Sequence, residues 1–248
     1  MTTTPIEQAK DAIAAGRYRE AEALLKPLTN TGDAEADYLY GSLLFSEPDL
    51  VDLDAAMDAF ERAADLDHPE ACYQLATTSI DESDGIVVGL VVDRDLLLHA
   101  AELGNVDAQR TAGGLLASGE EGFEQDLVAA RQWHQRAAEQ GDPDSQYDLG
   151  WMMLEGEGGP PDYDGGLTWL EACAAQEYLA SERAADFLAS IFEEGRFDFE
   201  EDPEAAKRWR ARQAELAELH ERQQQEGFNG HDLHGELKEQ RDKHTGPG

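Results

Sequence analysis

From residue 33 onward the chain alternates short amphipathic stretches with polar or glycine-rich breaks. Ala36, Tyr40 and Leu44 share one face of a helix over 33–45, and Phe60, Ala63 and Ala64 mark a second helix over 53–66. The same two-helix pattern returns over 70–80 with 96–103, 107–118 with 126–140, 145–154 with 167–176, and 181–194 with 203–219. The breaks carry their own chemistry. His68-Pro69 and Gly141-Asp142-Pro143 place a proline where the preceding residue leaves helical space, and Gly104 suits a helix C-terminus. The stretch EGEGGPPDY, 155–163, has too much Gly and Pro to be helical. Ahead of these pairs, 5–28 reads as a helical hairpin: Pro5 in a first turn, Ile6, Ala9 and Ile13 at helical spacing, then Tyr18, Ala21, Leu24, Leu25 and Leu28 after Gly16. Only 84–99, with its Val–Gly run, breaks the pattern, and it reads as an irregular loop or short insert.

The pattern has a period. Paired alanines fall at Ala63-Ala64, Ala100-Ala101 and Ala137-Ala138, and small residues at Ala76, Gly113 and Gly150 keep the same step. An aspartate precedes a tryptophan in Asp126/Trp133, Asp162/Trp169 and Asp202/Trp209, with Asp52 a weaker match. The Asp is expected to cap a second helix, because its carboxylate accepts from free N–H groups and complements the helix dipole. The Trp is expected to pack across the pair, and the small residue lets two helices approach closely. A fixed period of this length marks a helical solenoid, in which each pair buries its apolar face on its neighbours. The fold class is therefore all-α, an α-solenoid of five or six stacked antiparallel helix pairs. Residues 1–32 form an N-terminal hairpin, 33–219 the repeat solenoid, and 220–248 a polar tail expected to be disordered.

Charge narrows the partners. The chain carries 54 acidic and 19 basic side chains, a net −35. That field disfavours direct binding to nucleic-acid phosphates and favours basic partners at long range. Cys72 and Cys173 lie far apart without a CxxC pattern, so they read as buried thiols. No apolar stretch is long enough for a membrane span and no leader pattern opens the chain, so a cytoplasmic location is expected.

Several of these residues coincide with a known repeat. The pattern AxxxLG … GxG … D … AxxWxxxAAxxG resembles the Sel-one-like repeat, a cousin of the tetratricopeptide repeat. The fullest copy runs through Ala108, Ala112-Gly113, Gly119, Asp126, Ala130, Trp133, Ala137-Ala138 and Gly141, and the next holds Leu149-Gly150, Gly156, Gly158, Asp162 and Trp169. The resemblance spans about 33–214. It departs at Leu96, which replaces an aromatic, at Cys173-Ala174, which replaces the alanine pair, and after Trp209, where no such pair follows. The resemblance implies a right-handed solenoid whose concave face binds a protein or peptide segment, with no catalytic residue.

Candidate chemistry is thin. Glu193-Glu194 and Glu200-Glu201-Asp202 are acid pairs in a chain full of acids, and a carboxylate hydrolase is the remote alternative. His231 and His234, flanked by His220 and His244, are spaced for a helix face in a Gly-rich tail and read as solvated. The segment DESDG, 81–85, fails the calcium-loop spacing, since its Gly falls at the fifth position. No metal or cofactor is called for, and the chain is expected not to be an enzyme. The positions three before and one after each small first-helix residue point to a partner groove: Tyr38 and Ser42, Tyr73 and Thr77, Arg110 and Gly114, Tyr147 and Trp151. Tyr and Trp supply rigid amphipathic area there, or pack between neighbouring helices. The expected function is a scaffold or adaptor holding a basic protein or peptide, with an acidic immunity or inhibitor protein against a basic toxin or nuclease as the alternative.

Overall fold

The computed structural model describes residues 3–81, 85–88 and 92–228. The chain divides into two compact units, Met1–Asp142 and Pro143–Gly248. The first holds four helix pairs among the described residues: α1 (Pro5–Ala14) with α2 (Tyr18–Leu25), α3 (Ala34–Ser46) with α4 (Leu53–Ala64), α5 (Pro69–Thr77) with α6 (Arg94–Glu102), and α7 (Val106–Ser118) with α8 (Leu127–Glu139). The second holds α9 (Pro143–Glu155) with α10 (Tyr163–Ala174) and α11 (Leu179–Glu194) with α12 (Pro203–Phe228). The protein is an all-α helical-repeat solenoid with one local exception. No described helix is long and apolar enough to cross a membrane.

That exception corrects the sequence reading. The helix expected through residue 80 stops at Thr77, and the stretch read as an irregular insert supplies a β-strand. β1 (Thr78–Asp81) pairs antiparallel with β2 (Gly85–Val88), Thr78 opposite Val88 and Asp81 opposite Gly85. The run Gly85-Ile86-Val87-Val88 is rich in β-branched residues, which suit a pleated surface better than a helix.

The expected aspartate caps are present. The carboxylates of Asp52, Asp126, Asp162 and Asp202 accept from the N–H groups of Ala55, Ala129, Gly165 and Ala205 at 2.9 to 3.1 Å. Asp93 does the same for Leu96 at 3.0 Å, a copy hidden in the sequence because no tryptophan follows it. At the other end of α7, Gly119 takes a left-handed φ of 75° and closes the helix with its N–H on the Leu115 carbonyl.

Each small residue faces one large residue of the second helix in its own pair. A Cβ built on Gly41 would lie 2.9 Å from the Phe60 ring; on Gly113, 2.8 Å from the His134 ring; on Gly150, 2.8 Å from Leu170 Cγ. Phe60, His134 and Leu170 are buried, and Leu97 holds the matching buried position in α6. The buried position is thus one residue beyond the one expected. Trp133 is not the core residue of its pair: it is only half-buried, and the Arg136 guanidinium lies 4.5 Å over its ring. His134 fills the interior in its place.

This geometry predicts opposite effects for two glycines. Gly150→Ala should destabilise by about 1–3 kcal/mol, because the new methyl would crowd Leu170 and also sit 2.9 Å from the Gly166 carbonyl oxygen, which is backbone and cannot step aside. Gly114→Ala, where a Cβ meets nothing within 4 Å, should stabilise by about 0.5–1 kcal/mol through helix propensity alone. Urea unfolding midpoints of the two variants check both signs.

Candidate functional site

The positions expected to form a partner groove lie on first helices, α3, α5, α7 and α9. They are half-buried, except exposed Gly114, and most are engaged by the next first helix or by the turn that leads into it. In the first unit the Tyr38 ring stacks on His68 at 4.5 Å, just ahead of α5. The hydroxyls of Tyr73 and Thr111 lie 3.5 Å apart, and the Thr77 hydroxyl donates to the Tyr73 carbonyl at 2.8 Å. Arg110 donates to Asp107 at 2.6 Å and to buried Asp142 at 2.9 Å. Ser42 uses its carbonyl to accept from the Ser46 hydroxyl. In the second unit Arg183 lies 4.3 Å over the Tyr147 ring, and Trp151 packs on Phe187 at 4.9 Å. These side chains therefore link consecutive pairs within a unit while keeping part of their surface in solvent.

The partners Arg183 and Phe187 escaped the sequence reading, although each lies one repeat after the ring it meets. A second network had no sequence signal. Lys10 on α1 pairs with Glu35 on α3 at 2.5 Å, and Glu35 meets His68 at 3.0 Å. Burial pushes the Glu35 carboxyl up, but hydrogen bonds from Lys10 and His68 outweigh it and hold the group below the usual range. In the last pair Arg210 binds Glu193 at 2.8 Å and also Asp186, and the hydrogen bond from Arg210 lowers the Glu193 pKa. A general acid needs its pKa raised, and both of these carboxylates are shifted the other way.

Both thiols are sealed. Cys173 is fully buried, donates to the Pro143 carbonyl at 3.1 Å, and is pushed up to about 12, chiefly by desolvation. Burial raises Cys72 too. Neither thiol has the lowered pKa of a nucleophile. Among the described residues no group of three or more His, Cys, Asp or Glu side chains could hold a metal ion. His231, His234 and His244, and the DESDG segment from residue 82 to 84, lie outside the described residues. A surface hollow of about 530 Å³ opens between the start of α2 and the loop after α3, lined by Arg17, Tyr18, Arg19, Glu47, Asp49 and Leu50 among others. It carries charges of both signs and no arrangement of nucleophile and base.

The family model for the Sel1 repeat matches three times in tandem, at residues 107–142, 143–178 and 183–209. A Sel1 repeat protein from Oxalobacter formigenes has the same fold, with a TM-score of 0.60 at 22% identity over 85% of this chain and 99% of that one. The chain carries three Sel1 repeats between residues 107 and 209. Its Sel1 repeats adopt a protein-interaction fold. The fold is shared with c5321, a protective antigen of uropathogenic Escherichia coli with an SLR fold: TM-score 0.66, 21% identity, 79% of this chain and 41% of that chain. It is shared too with the immunity protein PA5088 of Pseudomonas aeruginosa, TM-score 0.53 at 19% identity over 88% of this chain and 83% of that one. No curated protein matches. The matched Sel1 repeats begin at residue 107, so α3 to α6 carry the helix-pair architecture without matching the repeat model.

Proposed function

We propose that the chain is a non-enzymatic scaffold that holds a basic protein or peptide segment along the solvent-facing side of its first helices. The observation that carries this reading is a set of half-buried side chains on the first helices, Tyr38, Tyr73 and Arg110 in the first unit and Tyr147 and Trp151 in the second, each engaged by a neighbour in its own unit. A side chain already held in place loses little conformational freedom when a partner covers it, so its area converts efficiently into affinity. Ser42 and Thr77 add short polar contacts beside the rings. Basicity of the partner rests on the net charge of −35, which draws cations and repels anionic chains.

The test is capture from a bacterial lysate on the immobilised chain at low and at high salt. Basic proteins should be retained at low salt and released at high salt. Tyr147→Ala should weaken retention about tenfold or more while lowering stability by about 1–3 kcal/mol, because the half-buried ring loses the Arg183 stack and part of its packing against the apolar core of the second unit. Retention of acidic proteins, or retention indifferent to Tyr147→Ala and Tyr73→Ala alike, would overturn the reading.

The net charge also favours a second reading, an acidic immunity protein that neutralises a basic toxin. The likeness to an immunity protein shows a shared fold and no more. A single tight one-to-one complex, with protection of cells that express the captured partner, would select this reading over an adaptor with several clients.

A further inference from the structure

The last first helix hides a position that the others leave open to solvent. One repeat after Trp151 on α9, the same position on α11 is Phe187, and it is only 8% exposed, whereas Ser42, Thr77 and Trp151 are half-buried and Gly114 is exposed. Trp151 packs on it at 4.9 Å. Further cover comes from the loop after α11: the Arg196 guanidinium lies 5.5 Å over the Phe187 ring, and the Phe197 ring meets it edge-on at 6.2 Å.

That loop holds a costly shape. Gly195 closes α11 at a left-handed φ of 63°. The Phe199 N–H then donates to the Arg196 carbonyl at 3.1 Å across a turn whose central residues, Phe197 and Asp198, are left-handed at φ 54° and 61°. The loop after α7 makes the same turn, with the Phe123 N–H on the Glu120 carbonyl at 2.9 Å, but its central residues are exposed Glu121 and Gly122. A bulky residue at positive φ is rare because its Cβ crowds the backbone, and it persists only where its surroundings hold it. Here the Tyr163 ring lies 6.0 Å from that of Phe197, and Arg196 lies 4.8 Å over the Phe197 ring. Arg196 is anchored loosely, 3.8 Å from the Glu155 carboxylate.

Phe187 is thus covered by the chain's own guanidinium and aromatic ring, the chemistry that a basic partner would bring. We propose that Arg196-Phe197 is an internal strap on the last position of the partner face, and that an arginine of the partner displaces it and stacks on Phe187. This rests on the first-helix face being the partner face, and it adds the residue type recognised there. Arginine fits because its planar, weakly hydrated guanidinium stacks on a ring, whereas the lysine ammonium is compact and strongly hydrated. Opening the turn releases the strain of two left-handed residues, which offsets part of the cost of lifting the strap.

Calorimetric titration with octa-arginine and with octa-lysine tests it, because attraction by net charge alone acts on both peptides alike. Phe197→Ser removes the ring and keeps the net charge. It should keep the helical circular-dichroism spectrum and bind octa-arginine about tenfold more tightly, with octa-lysine changed by less than about twofold. Asp198→Gly, whose glycine adopts the turn freely, should seat the strap more firmly and weaken octa-arginine binding about threefold relative to Asp198→Asn, which loses the same charge. This second comparison decides the matter if Phe197→Ser loses helicity. In the wild type, hydrogen exchange of the Phe199 amide, which closes the turn, should speed up when octa-arginine is added. Octa-arginine binding that Phe197→Ser leaves unchanged or weakens, or slower exchange at Phe199 on binding, overturns the strap while leaving the partner face in place. If Tyr147→Ala and Trp151→Ala bind both peptides as the wild type does, the partner face itself is overturned, and the strap with it.

Discussion

Phe60→Ala is expected to cost about 3–5 kcal/mol, the range for removing a large aromatic from a packed interior, whereas Trp133→Ala should cost about 1–2 kcal/mol. Phe60 is 1% exposed, its ring lies 6.0 Å from those of Tyr38 and Phe45, and it sits where a Cβ on Gly41 would touch it. Alanine there leaves a cavity between α3 and α4 that the small residue opposite cannot fill. Trp133 is larger, but only part of its ring is covered, and what it loses is mainly the Arg136 stack. Urea midpoints for the two variants, with m-values compared, decide the matter. A larger loss for Trp133→Ala would mean that the inward-facing position of the repeat has been placed one residue too late.

Acidification from pH 6.5 to about 4 is expected to remove about 3 kcal/mol of stability through one side chain, His134. The imidazole is 2% exposed and lies against Gly113. Desolvation pushes its pKa down from 6.5 to about 4, with the Asp142 carboxylate pulling weakly the other way. The folded chain therefore holds His134 neutral, while the unfolded chain takes up a proton as pH drops through 6.5. Stability is full above that pH, falls as pH drops towards the folded-state pKa, and levels off below it. His134→Leu should remove this part of the acid sensitivity, because Leu97 and Leu170 fill the same position in neighbouring pairs. Unfolding curves between pH 4 and 7 for the variant and the wild type provide the check. An unchanged slope in His134→Leu would assign the acid sensitivity to other groups.

These two residues also show where the sequence was informative and where it was not. The aspartate caps were legible because capping is local: a carboxylate meets an N–H three residues on, and the residue types alone imply it. The repeat period was legible because small residues recur where helices cross. The buried register was read one residue off because Trp133 outranks His134 in hydrophobicity, and only packing reveals that the imidazole fits against Gly113. The β1–β2 hairpin was missed because a short Val- and Ile-rich run between helices has no pattern long enough to separate strand from loop. Among the positions expected to face a partner, Tyr147 and Trp151 could be named from the sequence, but Arg183 and Phe187, which pack on them, could not. The Lys10–Glu35–His68 network joins α1, α3 and the turn ahead of α5 and leaves no trace in spacing.

The most direct measurement of the central claim is the dissociation constant of the captured partner across a salt series, for the wild type and for Tyr73→Ala and Tyr147→Ala. The account predicts affinity that falls steeply as salt rises and drops further in both tyrosine variants. Affinity that is flat or rising with salt, or that survives loss of both tyrosines, would contradict it.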